Sequence, residues 1–341
     1  MREAFGAWFD VPTGYLNTAS IGIPSTAVAD AVAEGVTGWR TGAARPPQYD
    51  EYVARARAAW ARLTGVAPEH VASGASVSQL VGLVAASVPD GTRVVTVGSE
   101  FTSVTFPFAV QEKRGVTVTE VPPGKLAEAA ADADLVAVSV VASADGALAD
   151  LDALRATGTP VLLDATQAVG WLPLRLDWAD YVVGGSYKWL FAPRGAAWLA
   201  VHPNAAPLVP HVANWYAAQD PWDGVYGLPL RLADTARRLD LSPVWFAQLG
   251  AAFSTEWLAG LDMTRVRDHC TRLADTVLTE LGLESACSAI TSLELTADQR
   301  DRLAASGVVS SVRAGRTRLS WHLYNTEDDV DRVLGALATR P

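Results

Sequence analysis

The sequence predicts an α/β protein: a wound, mostly parallel sheet covered by helices, followed by a smaller α+β unit. Three observations carry this reading. Short Val-rich runs alternate with Ala-rich segments of helical length between residues 94 and 201. The texture then turns proline- and aromatic-rich, with few periodic runs, over 203–240. Two long helical segments follow and lead into a second, shorter alternation. Strands alternating with helices in this way fold as a parallel sheet with helices on both faces.

Taken in order, Val94–Val97, Val116–Val121, Leu135–Val141 and Pro160–Asp164 are brief, mostly apolar and rich in Val, as strands buried on both faces are. Between them, Ser103–Arg114, Gly124–Ala131 and Asp150–Thr157 have helical length and open near Ser, Gly or Asp cap candidates. Further strands are predicted at Tyr181–Gly185 and Ala196–Val201. Residues Pro203–Asp240 read as a long irregular excursion, a feature uncommon in compact domains unless functional. Helices are predicted over Pro243–Leu261 and Met263–Leu281. The closing alternation runs through Ile290–Leu295, Asp298–Ala305, Val308–Arg313, Arg318–Trp321 and Glu327–Ala338. The expected division is a large domain over residues 15–240 and a small one over 241–341, on which residues 1–14 pack.

Composition narrows the function. Among 341 residues, 37 acidic side chains outnumber 27 basic ones, so no surplus of cations exists to neutralise a phosphodiester backbone. Nucleic-acid binding is not expected. Two cysteines, Cys270 and Cys287, cannot build a disulfide framework, which fits a reducing cytosol. The opening MREAFGAWFD lacks the apolar core of a secretory leader. The most apolar runs, Leu80–Val88 and Leu135–Ala142, fall far short of the roughly 20 residues that cross a bilayer. A cytoplasmic location without membrane association is therefore expected. His202, His211 and His322 show no metal-ligand spacing, so no metal is expected. No G-x-G-x-x-G motif is present, which argues against a dinucleotide-binding dehydrogenase.

The stretch Val161–Gly195 carries the chemistry. Asp164 stands at the carboxyl end of an apolar strand, where open α/β sheets bind ligands. Lys188 follows the strand Tyr181–Gly185 and sits between Tyr187 and the apolar run Trp189-Leu190-Phe191. Such surroundings disfavour an ammonium and favour the neutral, nucleophilic amine. An amine and a carboxylate at nearby strand ends form the pair that pyridoxal phosphate requires. The lysine holds the aldehyde as an imine, and the aspartate keeps the pyridinium nitrogen protonated.

On these residues the sequence resembles the class V aminotransferase branch of the fold-type-I pyridoxal phosphate enzymes. That branch includes cysteine desulfurases, kynureninase, isopenicillin N epimerase and the ergothioneine C–S lyases. The resemblance spans nearly the whole chain. YLNTAS at Tyr15–Ser20 is similar to the family's entry segment and implies a substrate contact for Asn17. SGASVSQL at Ser73–Leu80 resembles its phosphate-cradling turn, and SEFTS at Ser99–Ser103 falls at the ring-stacking position. DATQAVG at Asp164–Gly170 resembles the pyridine-nitrogen motif, and SYKW at Ser186–Trp189 the segment of the Schiff-base lysine. LDLSPVWFAQLGA at Leu239–Ala251 resembles the segment that reaches across the dimer. The tail from Val312 to Leu337 has the family's arginine and Tyr-Asn-Thr turn.

The resemblance implies a role for each matched position. Lys188 would be the Schiff-base lysine and the acid/base at Cα, with Asp164 on the pyridine nitrogen. Gln167 would meet the ring's phenolic oxygen and Phe101 the ring face. Ala75 and Ser76 would give backbone N–H groups, and Ser76 its hydroxyl, to the phosphate at a helix N-terminus. Ser186 and Tyr187 would bind the same phosphate, with Ser242 reaching it from a second subunit. Arg313 would grip the substrate carboxylate, with Arg318 as its competitor for that role. Trp215, with Tyr216, Trp222 and Tyr226, would either wall the site or pack a dimer interface.

Departures from the family pattern bear on the reaction. Tyr187 replaces the His that many members carry before the lysine, and its phenol still donates to phosphate. Phe101 stands where desulfurases have His. Arg313 is followed by Ala-Gly-Arg-Thr-Arg, without the desulfurases' nucleophilic Cys. Cys270 and Cys287 read as inert small side chains. Desulfuration is thereby disfavoured. The expected protein is a homodimeric enzyme acting at Cα of an amino acid or amine, with transamination as the first expectation. A β-eliminating C–S lyase of the ergothioneine type and an epimerase are the alternatives.

Overall fold

The computed structural model describes residues 1–338. A hairpin opens the chain, β1 (Arg2–Ala4) and β2 (Ala7–Phe9), before two helices, α1 (Thr26–Arg40) and α2 (Gln48–Thr64). The large sheet and its helices then follow in sequence: β3 (Val71–Gly74), α3 (Val77–Ser87), β4 (Arg93–Val97), α4 (Thr102–Ala109), β5 (Thr117–Val121), α5 (Leu126–Ala130), β6 (Leu135–Ser139), α6 (Leu151–Thr157), β7 (Val161–Asp164), β8 (Tyr181–Gly185) and β9 (Ala197–Val201). After a long excursion come α7 (Trp245–Ala259), α8 (Met263–Glu280), β10 (Ile290–Leu293), α9 (Ala297–Ala305), β11 (Ser311–Arg313), β12 (Arg316–Ser320) and α10 (Glu327–Leu337).

Seven strands form one sheet in the order β3-β9-β8-β7-β6-β4-β5. Pairings from β5 through β8 are parallel, and β9 alone runs against both of its neighbours, β8 and β3. The central strands β6, β7 and β8 are buried along their whole length, which is why they read as unbroken apolar runs. Two apolar cores flank the sheet, one holding Trp60, Trp171, Trp189 and Trp198, the other Leu80, Phe108 and Leu199. A third core gathers α8, α9 and α10 on the three-stranded sheet β10-β12-β11, around Trp321. The first residues reach this part of the chain: Arg2 bonds Asp329, and the Phe9 ring meets Tyr324 edge-on at 5.4 Å.

Three local expectations differ from the structure. Ser103–Arg114 is not one helix: α4 contains Pro107 and ends at Ala109, and a separate short turn spans Glu112–Arg114 before left-handed Gly115. Strand β3 and helices α1 and α2 were not predicted. β3 is only four residues, VASG, and two of them carry too little apolar surface to announce a strand. The excursion over 203–240 is irregular as expected, but includes short 3-10 turns at Trp215–Ala217 and Ala236–Leu239.

That excursion is pinned to the sheet by a buried ion pair. Asp240, fully buried, accepts from Arg57 of α2 at 2.6 and 3.0 Å and from the Ser73 backbone N–H at 2.8 Å. Removing one partner of such a pair strands a charge out of water. Asp240→Ala is expected to cost about 3–5 kcal/mol of stability, read by denaturant unfolding. The double variant Arg57→Met/Asp240→Ala should recover part of that loss.

Candidate active site

The cleft lies where the carboxyl ends of β6, β7 and β8 meet the start of α3. It encloses about 570 Å³ including its open mouth, within the range of small-molecule sites. Parallel register sets Ser139 of β6 beside Asp164 of β7, so the two strand ends present their side chains together. Ser76 caps α3 through its hydroxyl, which accepts from the Gln79 N–H at 3.3 Å. The first N–H groups of an 11-residue helix therefore open on the cleft wall formed by Ala75, Ser76, Val77 and Ser78.

Asp164 is 4% exposed and forms no ion pair among the described residues; its Oδ1 accepts from the Thr166 N–H at 2.8 Å. Burial raises its pKa, opposed by the bonds from Thr166 and by the charge of Lys188, while Glu100 pushes in the same direction as burial. A buried carboxylate that forms no ion pair has an open requirement for a proton donor. The N–H of a pyridinium ring would meet it.

Lys188 faces the same space, and its Nζ forms no hydrogen bond among the described residues. It lies 5.2 Å from the Phe101 ring centre and 5.6 Å from that of Tyr187. Burial lowers its pKa to about 8, helped by Arg318, Arg313 and Arg194 and opposed by Asp164. The loop that carries it is held from three sides. Gly22 N–H donates to the Tyr187 carbonyl at 3.0 Å, and a Cβ at Gly22 would come within 2.0 Å of the Lys188 carbonyl oxygen. His322 Nε2 lies 2.9 Å from the Trp189 carbonyl and so must carry the proton there. Trp189 Nε1 donates to Gln167 Oε1 at 2.7 Å.

A titration follows from this setting. Attack on an aldehyde needs the neutral amine, so cofactor-free protein should take up pyridoxal phosphate about tenfold faster per pH unit up to about pH 8, then level off. An ordinary lysine would keep accelerating toward its usual pKa of 10.5. Stopped-flow absorbance across pH 6–10 distinguishes the two.

Of the residues singled out in the sequence, Ala75, Ser76, Phe101, Asp164, Gln167, Tyr187 and Lys188 line this one cleft. The others stand apart from its lining. The Ser186 hydroxyl donates to the Pro193 carbonyl at 2.9 Å, which uses its only proton. Ser242 is exposed just before α7, and Trp215 packs on Tyr216 and Trp222 with ring centres 5.2 and 5.0 Å away. Asn17 is half-buried, and its Oδ1 has no hydrogen-bond partner among the described residues. Both Gln167 N–H donors are engaged within the chain, by the Ala19 carbonyl at 3.1 Å and Ser143 Oγ at 3.0 Å.

The two arginines are placed differently. Arg313 is exposed on the tight β11–β12 hairpin. Arg318 is 1% exposed and reaches the cleft wall, donating to the Ser143 carbonyl, to Ser143 Oγ at 3.1 Å and to Ser20 Oγ at 2.8 Å. Sequence reading preferred Arg313; burial and reach favour Arg318.

Sequence reading also missed Glu100, Ser139, Ser143, Thr166 and Arg194. Glu100 accepts from the backbone N–H and hydroxyl of Ser139 at 2.7 and 2.6 Å and from the Phe101 N–H at 2.6 Å, tying the Phe101 loop to β6. Its place directly before Phe101 was the available signal. Ser139 at the end of β6 and Ser143 in the loop after it are lone serines and give none.

The donor set therefore fits a pyridoxal phosphate enzyme: a buried amine opposite a buried, unpaired carboxylate, beside a helix N-terminus. Comparison with known proteins agrees. The family model for aminotransferase class-V matches residues 48–304, and the chain belongs to that family. It is similar to an uncharacterised aminotransferase, YcbU, of Bacillus subtilis (strain 168), 26% identical over 84% of this chain and 83% of that protein. It is also similar to isopenicillin N epimerase of Streptomyces clavuligerus, 28% identical over 98% and 97%. Among solved structures, a cystine C–S lyase in complex with cysteine persulfide superposes at a TM-score of 0.85, with 17% identity over 96% of this chain and 97% of that one. The cysteine desulfurase of Thermococcus onnurineus NA1 gives 0.82, again at 17% identity, over 95% and 93%. These two likenesses establish the fold. Among the described residues no helix is long and apolar enough to cross a membrane.

Proposed function

We propose that the chain is a pyridoxal phosphate-dependent aminotransferase acting at Cα of an amino-acid substrate. The observation that carries this reading is the Lys188 amine, buried, without a hydrogen bond and facing Asp164 across the cleft. When bound, the cofactor supplies an electron sink for the pair left at Cα. Every other role belongs to the chain. The turn Ala75–Ser78 and the N-terminus of α3 would hold the phosphate, with Tyr187 beside them. Asp164 would hold a proton on the ring nitrogen, and Phe101 would cover one ring face. Lys188 Nζ would take the Cα proton and, for transamination, deliver it to the cofactor's aldehyde carbon rather than back to Cα. Arg318 would orient the substrate carboxylate, since it is a buried guanidinium that forms no ion pair among the described residues.

Neither cysteine lines the cleft: Cys270 is buried on α8 and Cys287 is exposed in the loop before β10. This supports chemistry without a persulfide. Exposed Trp222, Tyr226, Leu228 and Leu230 on the excursion support a homodimer, in which Ser242 and Trp215 would serve the partner's site or the interface. Epimerisation is the second reading, favoured by a 28% likeness to isopenicillin N epimerase along nearly the whole chain.

The test is a panel of amino acids added to loaded protein in deuterated water. Conversion to the amino form of the cofactor, with a keto acid released, supports the proposal. Deuterium gain at Cα with inversion and no keto acid selects epimerisation. Pyruvate and ammonia without that conversion select elimination.

A further inference from the structure

Three guanidinium groups share one face of the small sheet, and one acid serves them. Arg313 faces Arg316 across the β11–β12 ladder, and Arg318 lies two residues further along β12, so strand alternation aims all three the same way. The turn Ala314-Gly315 has φ of +46° and +78°, the two-residue hairpin geometry that fixes this register. Arg316 is neutralised by Glu294. Arg313 and Arg318 form no ion pair among the described residues. Buried Arg57 pairs with Asp240 and half-buried Arg2 with Asp329, whereas half-buried Arg238 and Arg300 have no ion pair among the described residues.

The two unpaired groups also converge. Nη2 of each donates to Ser20 Oγ, at 2.8 Å from Arg318 and 3.4 Å from Arg313, so the two nitrogens can be no further apart than those bonds laid end to end. Neutral oxygens engage most of the Arg318 fork: Ser311 Oγ, Ser143 Oγ, the Ser143 carbonyl and Ser20 Oγ. Burying one such cation and setting a second against it, with no anion between, costs free energy that an anionic ligand would relieve. The pair sits at the edge of the catalytic cleft, because Ser143 lines that cleft and bonds both Arg318 and Gln167.

We propose that Arg313 and Arg318 form a two-cation subsite that selects substrates with a second acidic group, namely amino acids whose side chain ends in a carboxylate. It deepens and rests on the reading that Arg318 orients the α-carboxylate. Arg318 takes that group from the buried side, and Arg313, at the exposed rim, takes the second. The exposed Arg313 guanidinium, bonded only to the Val312 carbonyl and Ser20 Oγ, offers most of its planar fork to the second carboxylate, and Arg318 would meet the α-carboxylate through the N–H that its neutral partners leave free.

The experiment uses acids without an amine, which bind but do not turn over. Affinities of the cofactor-loaded protein for glutarate and butyrate are measured by calorimetry for wild type, Arg313→Gln and Arg318→Gln. Glutarate is expected to bind at least about tenfold more tightly than butyrate. Arg313→Gln should erase that preference with butyrate affinity unchanged, whereas Arg318→Gln should weaken both. Equal affinity for the two acids in wild type overturns the proposal, as does a preference that survives Arg313→Gln. Equal weakening of both acids by Arg313→Gln would instead mean one carboxylate bridging both arginines, and also overturns it. The absorbance of the bound cofactor in the same samples reports the underlying reading separately: if no chromophore binds, that reading fails while the diacid preference is still judged.

Discussion

Lys188→Ala is expected to lower kcat/KM by about 10⁴-fold or more, because covalent and acid–base roles fall on one amine. Lys188 is the cleft's single lysine, and the chain's other two, Lys113 and Lys125, are exposed on distant surface turns. Arg194, which lines the same cleft, cannot replace it, since a guanidinium stays protonated and is no nucleophile. Steady-state kinetics measures the loss. A cooperative thermal transition in the variant shows that the fold persists, and retention of more than about a hundredth of wild-type activity would remove Lys188 from the mechanism.

Asp164→Asn isolates charge from shape. The amide oxygen can still accept from the Thr166 N–H, as Oδ1 does at 2.8 Å, so the strand end should keep its form. What disappears is the negative charge that holds a proton on the ring nitrogen. A fixed charge in a water-poor site acts with far more weight than in solvent. The expected loss in kcat is about 10³-fold, with cofactor still bound by its absorbance. Activity within fivefold of wild type would show that Asp164 only packs.

How much of this was legible follows from what each residue does locally. Asp164 and Lys188 stood out because apolar strands lead directly to them, and burial of those strands is written in their Val-rich runs. β3 was not legible: VASG earns its place in the sheet through pairing with β9 and the Asp240 bond to Ser73, both distant in sequence. The antiparallel direction of β9 is likewise a matter of tertiary pairing, since the run AWLAV reads the same either way. In the cleft, residues acting through hydrogen bonds were the hidden ones. Ser143 joins Gln167 to Arg318 across a gap of more than a hundred residues, and nothing in its local sequence forecasts that. The choice between Arg313 and Arg318 turned on depth, which a three-stranded sheet sets and a motif does not.

Attachment of the cofactor can be read at a single atom. The loaded protein is reduced with borohydride, digested, and its peptides are weighed and fragmented. A pyridoxyl phosphate adduct on Lys188, with Lys113 and Lys125 unmodified, is the predicted result. An adduct on either of those two, or no adduct from protein that has been given excess pyridoxal phosphate, would contradict the account.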